Sequence, residues 1–229
     1  MARWGALTVA CGLLGILLFV TPVGSYLACG ALGHCPYEGM PFRFTVVDAE
    51  TGQPLPEVHA LAEWVLEGFH GVNGPLMVQD AASGPDGVIA FPAWGPLTGP
   101  PAGLRIRLDP AITLFKPGYR VLVIFNSYIV ESVEKTQTLR VRKFAPDGAT
   151  FKLERFRGTA EEWLEELKKA ANPPFKGRAS AEQIAPFTIE YIARRRLVLS
   201  ERRKIPGVGR ELGIDSLEQS IRELEGMGR

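Results

Sequence analysis

The residues of this sequence best suited to bind a metal ion or to transfer protons are three histidines, His34, His59 and His70. None lies in a His-Glu-x-x-His or His-x-x-Glu pattern, the spacings that bring zinc ligands and a general base together. His59 falls in an apolar-rich segment, where it is expected to alternate with core residues along a strand. His70 lies in a glycine-rich stretch that is typical of an exposed loop. The histidine spacing therefore predicts no zinc site.

Carboxylates and nucleophiles give a similar result. Asp48 and Glu50 could form a carboxylate pair or half a calcium site, but their place in a turn accounts for both. The sequence contains no Gly-x-Ser-x-Gly elbow and no phosphate-binding Gly-Lys-Ser/Thr motif. We therefore predict that the chain is not an enzyme and that it binds no cofactor and no metal.

One basic cluster stands out, formed by Arg194–Arg196 and Arg202–Lys204. Phosphates of lipids, of lipopolysaccharide or of nucleic acid are its conceivable ligands. Acidic residues nearby dilute its field: Glu190, Glu201 and Glu211. The formal net charge of the chain is only +1. The cluster is best interpreted as a solvated helix face, and no nucleic-acid partner is predicted.

The amino-terminal segment has the pattern of a membrane-directed leader. Arg3 precedes an apolar run over Ala6–Val20, and no charged residue occurs from Trp4 to Gly33. This uncharged run exceeds the roughly 20 residues that span a bilayer. Because the positive charge lies on the amino-terminal flank, the remainder of the chain is expected on the far side of the membrane. Residues 1–28 are therefore predicted to be a signal peptide or membrane anchor.

Three fates of this leader remain open. Cleavage could follow Ser25, which ends a stretch of small residues after Pro22. Lipidation could occur at Cys29, which follows Tyr26-Leu-Ala in a sequence resembling a lipobox. The segment could also stay uncut as an anchor. Cys29 and Cys35 could form a short-range disulfide or be two unrelated small residues. In each case the chain is exported, facing the periplasm or exterior, and either membrane-anchored or secreted.

Behind a Gly/Pro-rich linker at residues 29–41, short apolar segments alternate with Gly/Pro/Asp turns through residue 157. This spacing favours an all-β fold, an antiparallel sandwich of about seven strands. The last two strands are expected to form a hairpin around the turn Pro146-Asp-Gly148. The main predicted strands are Phe42–Val46, Val58–Trp64, Val88–Phe91, Leu104–Leu108, Tyr119–Phe125, Thr138–Phe144 and Thr150–Phe156.

Residues 158–229 have a different pattern, typical of an α-helical C-terminal extension. Capping boxes at Thr159-x-x-Glu162, Ser180-x-x-Gln183 and Asp215-x-x-Glu218 predict three helix starts. Each is followed by apolar residues at helical spacing. We expect these amphipathic helices to dock on the sandwich or on each other.

Three segments carry a family resemblance: Phe44–Val58, Pro85–Gly95 and Pro110–Tyr119. They resemble the strand-turn-strand opening, the "DG-x-F-x-x-P" strand and the "K-x-G-Y" turn of carboxypeptidase regulatory-like domains. Such domains have a transthyretin-like (prealbumin-like) sandwich and occur in bacterial envelope proteins and lipoproteins behind a leader. The resemblance implies a folding or interaction module without catalytic residues.

Two enzyme groups with related sandwiches are excluded by what the sequence lacks. Intradiol dioxygenases share a similar "D-x-x-G-x-P-L" opening, but they require two tyrosine and two histidine iron ligands, and no histidine follows His70. Hydroxyisourate hydrolases of the transthyretin group end in Tyr-Arg-Gly-Ser, whereas this sequence ends in Gly-Met-Gly-Arg.

The sequence thus predicts a non-catalytic structural or binding module on the outer side of a bacterial membrane. Its expected partners are the membrane, through residues 1–28, and an envelope protein or a glycan. One alternative is a glycan- or peptidoglycan-contacting domain, whose ligand-facing aromatics would be Trp64, Trp94 and Tyr119. A second alternative is a hydrolase that brings His59 or His70 to a serine and a carboxylate. The oligomeric state is left open.

Overall fold

Strands occupy the first part of the chain and helices the last part in the computed structural model, which describes residues 36–98, 104–126, 133–135, 139–171, 179–205, 207 and 212–228. The strands are β1 Tyr37–Gly39, β2 Phe42–Asp48, β3 His59–Gly68, β4 Gly71–Ala82, β5 Val88–Phe91, β6 Trp94–Leu97, β7 Arg105–Phe115, β8 Leu122–Phe125, β9 Val133–Lys135, β10 Arg140–Arg142 and β11 Thr150–Leu153. The helices are α1 Ala160–Ala171, α2 Ala181–Ile184, α3 Thr188–Arg202 and α4 Ile214–Met227, with a 3₁₀ turn at Ala185–Phe187.

Two sheets form a sandwich, and they contain seven strands between them. One sheet has the order β11-β2-β5 and the other the order β4-β3-β7-β8. All pairs are antiparallel except β11 with β2, which run parallel. A third, small sheet of order β6-β1-β10-β9 lies beside them. The predicted β-sandwich with a helical C-terminal region is confirmed.

Aromatic rings fill the space between the two sheets. Phe42 lies at the centre, with its ring centroid 4.9 Å from that of Phe91 and 4.5 Å from that of Phe144. Phe44 and Trp64 complete this group, which is buried with aliphatic residues from both sheets. Large rings bury much apolar area in few residues, which is how short strands build a stable core.

Two details of the sequence prediction are wrong. The linker predicted over residues 29–41 ends earlier, because Tyr37–Gly39 forms β1 and the Tyr37 side chain is buried. The hairpin predicted around Pro146-Asp-Gly148 does not form, since β10 pairs with β1 and β11 pairs with β2. The turn residues are present, but the chain that leaves them continues into a different sheet.

The helices form a third layer on the outer face of the four-stranded sheet. Phe115 of β7 packs on that face against Trp163 of α1, with ring centroids 6.2 Å apart, and both lie in one apolar cluster with residues of α3 and α4. Strand β3 is therefore covered on both faces, which explains its nearly continuous apolar sequence. This layer positions the polar residues described below.

A tight turn between β4 and β5 needs glycine at position 87. Its φ is +74°, and a Cβ there would lie 2.5 Å from the carbonyl oxygen of Val46. We expect Gly87→Ala to lower the free energy of unfolding by about 2 kcal/mol, from the left-handed backbone and the clash. Gly118→Ala is the matched control, because φ is +81° there and nothing lies within 4 Å. Denaturant titration should show a loss of about 1 kcal/mol in the free energy of unfolding for Gly118→Ala. Equal losses for the two variants would contradict the expectation.

Candidate functional site

The two tryptophans proposed to face a ligand point into the protein. Trp64 is 2 % exposed and Trp94 is 6 % exposed. Their rings meet edge to face at 5.2 Å, and Trp64 also packs on Phe42. Both belong to the apolar core of the sandwich. The prediction that they face a ligand is wrong, because their strand register turns them inward.

Tyr119, the third proposed aromatic, is hydrogen-bonded to the buried carboxylate of Asp48. Its hydroxyl donates to Asp48 Oδ2 at 2.9 Å, and Arg155 Nε donates to the same oxygen at 2.8 Å. The backbone amides of Glu50 and Thr51 donate to Asp48 Oδ1. These bonds, that from the Thr51 amide most of all, hold the pKa of Asp48 well below its usual range. The contact between Arg155 and Asp48 connects the turn after β2 to the chain just after β11.

Cys29 and Cys35, proposed for lipidation or a disulfide, lie outside the described residues, as does the leader. Within the part of the chain that the structure describes, no helix combines the length and apolar character needed to cross a bilayer. Among the same residues, no group of three or more His, Cys, Asp or Glu side chains is arranged to hold a metal ion.

Among the described residues, several ionisable and polar groups lie together between β3 and α3. We call this group the interface cluster, and its members are His59, Glu63, Asp80, Thr113, Tyr191 and Arg194. Strand alternation turns His59 and Glu63 toward the helices, and the register of β7 places Thr113 beside Leu61 on the same face. Helix α3 crosses above them and contributes Tyr191 and Arg194, one helical turn apart.

Arg194 connects the helix to two strands. The residue is 1 % exposed. Nε donates to His59 Nδ1 at 3.0 Å, and Nη2 donates to the backbone carbonyls of Thr113 at 2.7 Å and His59 at 3.2 Å. Burial lowers the pKa of Arg194 to about 10, so the side chain stays charged at neutral pH. A single cation thus bonds to backbone atoms of both β3 and β7.

Glu63 is the second buried member, at 2 % exposed. The Tyr191 hydroxyl donates to its Oε1 at 2.7 Å. Burial raises the pKa of Glu63 to about 7, against the opposing effects of the Tyr191 bond and the Arg194 charge. Four buried atoms of the interface cluster have no hydrogen-bond partner among the described residues: His59 Nε2, Glu63 Oε2, Thr113 Oγ1 and Arg194 Nη1. Such groups in a native interior are commonly bridged by ordered water.

His59 faces charged groups with both ring nitrogens. Nδ1 accepts from Arg194, so the proton of the neutral ring belongs on Nε2, which lies 3.5 Å from Asp80 Oδ2. Burial lowers the pKa of His59, and the adjacent His59 ring lowers the pKa of Asp80. Neither nitrogen is directed at a hydroxyl nucleophile. His70 lies at the far end of β3, roughly 30 Å along the strand.

Comparisons with known proteins give limited resemblance. No protein-family model matches the sequence, and no curated protein matches it. Among solved structures, 3-chlorocatechol 1,2-dioxygenase from Rhodococcus opacus 1CP aligns with a TM-score of 0.30 and 15 % identity, over 54 % of this chain and 61 % of that one. The pilus 2b backbone protein of group B streptococcus aligns with a TM-score of 0.23 and 14 % identity, over 51 % and 41 % of the two chains.

Domains D2 and D3 of the major pilin SpaD from Corynebacterium diphtheriae align with a TM-score of 0.26 and 16 % identity, over 52 % of this chain and 48 % of that one. This chain therefore spans less than two thirds of the length of these three structures. Structural similarity at this level does not indicate an activity.

Only His59 of the interface cluster is a site candidate in the sequence analysis, which misses the other five members, Arg194 and Glu63 among them. Arg194 was assigned to a solvated basic face, yet it lies buried in the contact with the sheet. A usable signal was present, because Arg194 falls between Tyr191 and Val198 on the apolar stripe of the helix. For Glu63 the signal was a carboxylate inside an otherwise apolar strand, followed directly by Trp64.

Proposed function

We propose that this chain is a non-catalytic structural or binding module, carried by residues 1–28 to the outer side of a bacterial membrane. The non-catalytic role is supported by the contacts that the ionisable residues make inside the protein. Arg194, His59, Glu63 and Tyr191 bind one another and the backbone of the sheet, and in this way they fasten α3 to the sandwich.

A reacting group must present a free atom to its substrate. In the interface cluster the basic nitrogens of His59 are turned toward Arg194 and Asp80, and the cluster is covered by α3. The Ser83 hydroxyl, also buried, donates to the carbonyl of Leu55 and accepts from the amide of Val58. This arrangement favours a bracing role over the hydrolase alternative.

The glycan-contacting alternative loses its specific support. It depended on exposed aromatic rings, and Trp64 and Trp94 are buried in the core. Tyr119 is only partly exposed and its hydroxyl is bonded to Asp48. Stacking on a sugar needs a ring face open to solvent, so these three residues do not form a platform for carbohydrate.

Fractionation of cells expressing the full chain tests the proposed location. We expect the chain outside the cytosol, in the membrane fraction if the leader is retained or lipidated and in the soluble exported fraction if it is cleaved. In either case protease added from outside the membrane should digest it. Intact mass then separates the fates of the leader: cleavage after Ser25, lipidation of Cys29, or no change. Cys29→Ser should abolish a lipid-modified mass, and Cys35→Ser is the matched control. Recovery of the unmodified chain in the cytosolic soluble fraction would refute the proposal.

A further inference from the structure

The turn that joins β3 to β4 carries a fully exposed aromatic residue. Phe69 is 99 % exposed, and its ring contacts His70 edge to face at 5.3 Å. The turn ends a long hairpin, since β3 has 10 residues and β4 has 12. A phenylalanine in this position adds no apolar burial to the fold.

This turn lies at the end of the sandwich where the described part of the chain begins, at Pro36. Phe42 and Trp94 both pack on Trp64, in the middle of β3. Going away from Asp48, the chain passes from Phe42 back through β1 to Tyr37, which pairs with Leu97. In the same direction β3 continues from Trp64 to Gly68. Asp48 and the start of β3 lie at the opposite end, where Val46 bonds to Leu55. Tyr37 and Phe69 therefore share one end of the domain.

The leader limits how far this end can be from a membrane. Only seven residues, 29–35, separate the predicted anchor from Pro36. Fully extended they reach at most about 25 Å. Arg140 and Arg142 lie at the same end, with their guanidinium groups 5.5 Å and 5.8 Å from the ring centroid of Tyr37. Aromatic and arginine side chains together suit the interface between lipid headgroups and acyl chains.

We propose that the hairpin turn Gly68–Gly71 docks on the lipid bilayer, with the Phe69 ring in the interfacial layer. This inference rests on the proposed export, with the leader kept as an anchor or lipidated at Cys29 so that it tethers the chain. It adds an orientation: the sandwich stands with this end toward the lipid and with Asp48 at the far end. The tether holds the turn close to the bilayer, so a single ring can remain inserted although its own affinity is small.

Photo-crosslinking of the full chain tests the docking. Benzoylphenylalanine replaces Phe69 in one variant and the exposed Gln53, in the turn at the opposite end, in the other. Each variant is reconstituted into vesicles of phosphatidylethanolamine and phosphatidylglycerol, floated, irradiated and analysed for lipid adducts by mass. We expect a several-fold higher lipid yield from position 69 than from position 53. Both positions are exposed, and matching circular dichroism would verify that both variants fold.

The outcomes separate the two proposals. Equal lipid yields from the two positions, in chains that float with the vesicles, would overturn the docking and leave the tether intact. Adducts from position 69 that join two copies of the chain instead of a lipid would also overturn it. A chain that does not float with the vesicles would overturn both the tether and the docking.

Discussion

Replacing Arg194 with alanine should lower the free energy of unfolding by about 4 kcal/mol, the range found when one partner of a buried charged network is removed. The substitution leaves two backbone carbonyls and His59 Nδ1 without the donor that satisfies them. Burying unpaired polar groups is costly, so α3 should lift from the sheet in part. Denaturant titration measures the loss, and faster hydrogen exchange in α3 than in β2 would locate it.

Two control variants distinguish the loss of the donor from the loss of charge in general. Arg196 lies on the same helix as Arg194 and forms an exposed ion pair with Glu225 of α4. Arg196→Ala should therefore change stability by at most about 1 kcal/mol. Arg194→Met keeps much of the apolar stem and should lose less than Arg194→Ala. If Arg194→Ala stayed within about 1 kcal/mol of the unmodified chain, Arg194 would not be what fastens the helix.

The second large effect concerns pH and the buried carboxyl of Glu63. Its pKa is raised from 4.5 to about 7 in the folded chain, so the folded state binds the proton more tightly than the unfolded state. Stability from this group is complete below about pH 4.5 and is lost as the pH rises toward 7. The difference corresponds to roughly 3 kcal/mol. Unfolding free energies measured from pH 4 to pH 8 for the unmodified chain and for a variant without this carboxyl should show it as a difference between the two chains.

Glu63→Gln isolates this contribution. Glutamine keeps an oxygen that can accept from the Tyr191 hydroxyl, yet it carries no titrating proton. The difference in stability between the two chains should therefore shift in favour of the variant as the pH rises from 4.5 to 7. Glu165→Gln, at an exposed position on α1, should run parallel to the unmodified chain. An unchanged difference for Glu63→Gln across this range would show that the carboxyl is not held neutral.

His59, in the same cluster, changes stability with pH in the opposite direction to Glu63. Burial lowers its pKa below 6.5, so the unfolded state binds the extra proton and stability falls as the pH drops below 6.5. The contributions of Glu63 and His59 to the pH dependence of stability therefore partly cancel in the unmodified chain. The stability curve of the unmodified chain by itself would understate both, and the difference against Glu63→Gln is the informative measurement.

The helix starts and turns were largely predictable because their chemistry is local. The box at Thr159 and Glu162 is observed, with bonds in both directions, and so is the box at Ser180 and Gln183. The third start was misplaced slightly, since Gly213 and not Asp215 caps α4. A cap involves residues three positions apart, so the sequence contains all of its partners.

The candidate site was much less predictable, because its partners are far apart in sequence. Arg194 bonds to His59 and Thr113, which lie 135 and 81 positions earlier. Whether an arginine on a helix faces solvent or a strand depends on which sheet the helix meets, and no local pattern encodes that choice. The same holds for Trp64 and Trp94, whose inward orientation follows from the strand register.

The amino-acid sequence by itself determined the β-rich class, the helical C-terminal part and the turns that divide them, since alternation, glycine positions and caps act over a few residues. The leader remains a prediction from composition. Tertiary structure decided which strands pair, as with β10 and β11. It also decided that Arg194 and Tyr191 of α3 bond to residues of the sheet. Strand pairing and burial depend on contacts between distant segments, and these exist only once the chain has folded.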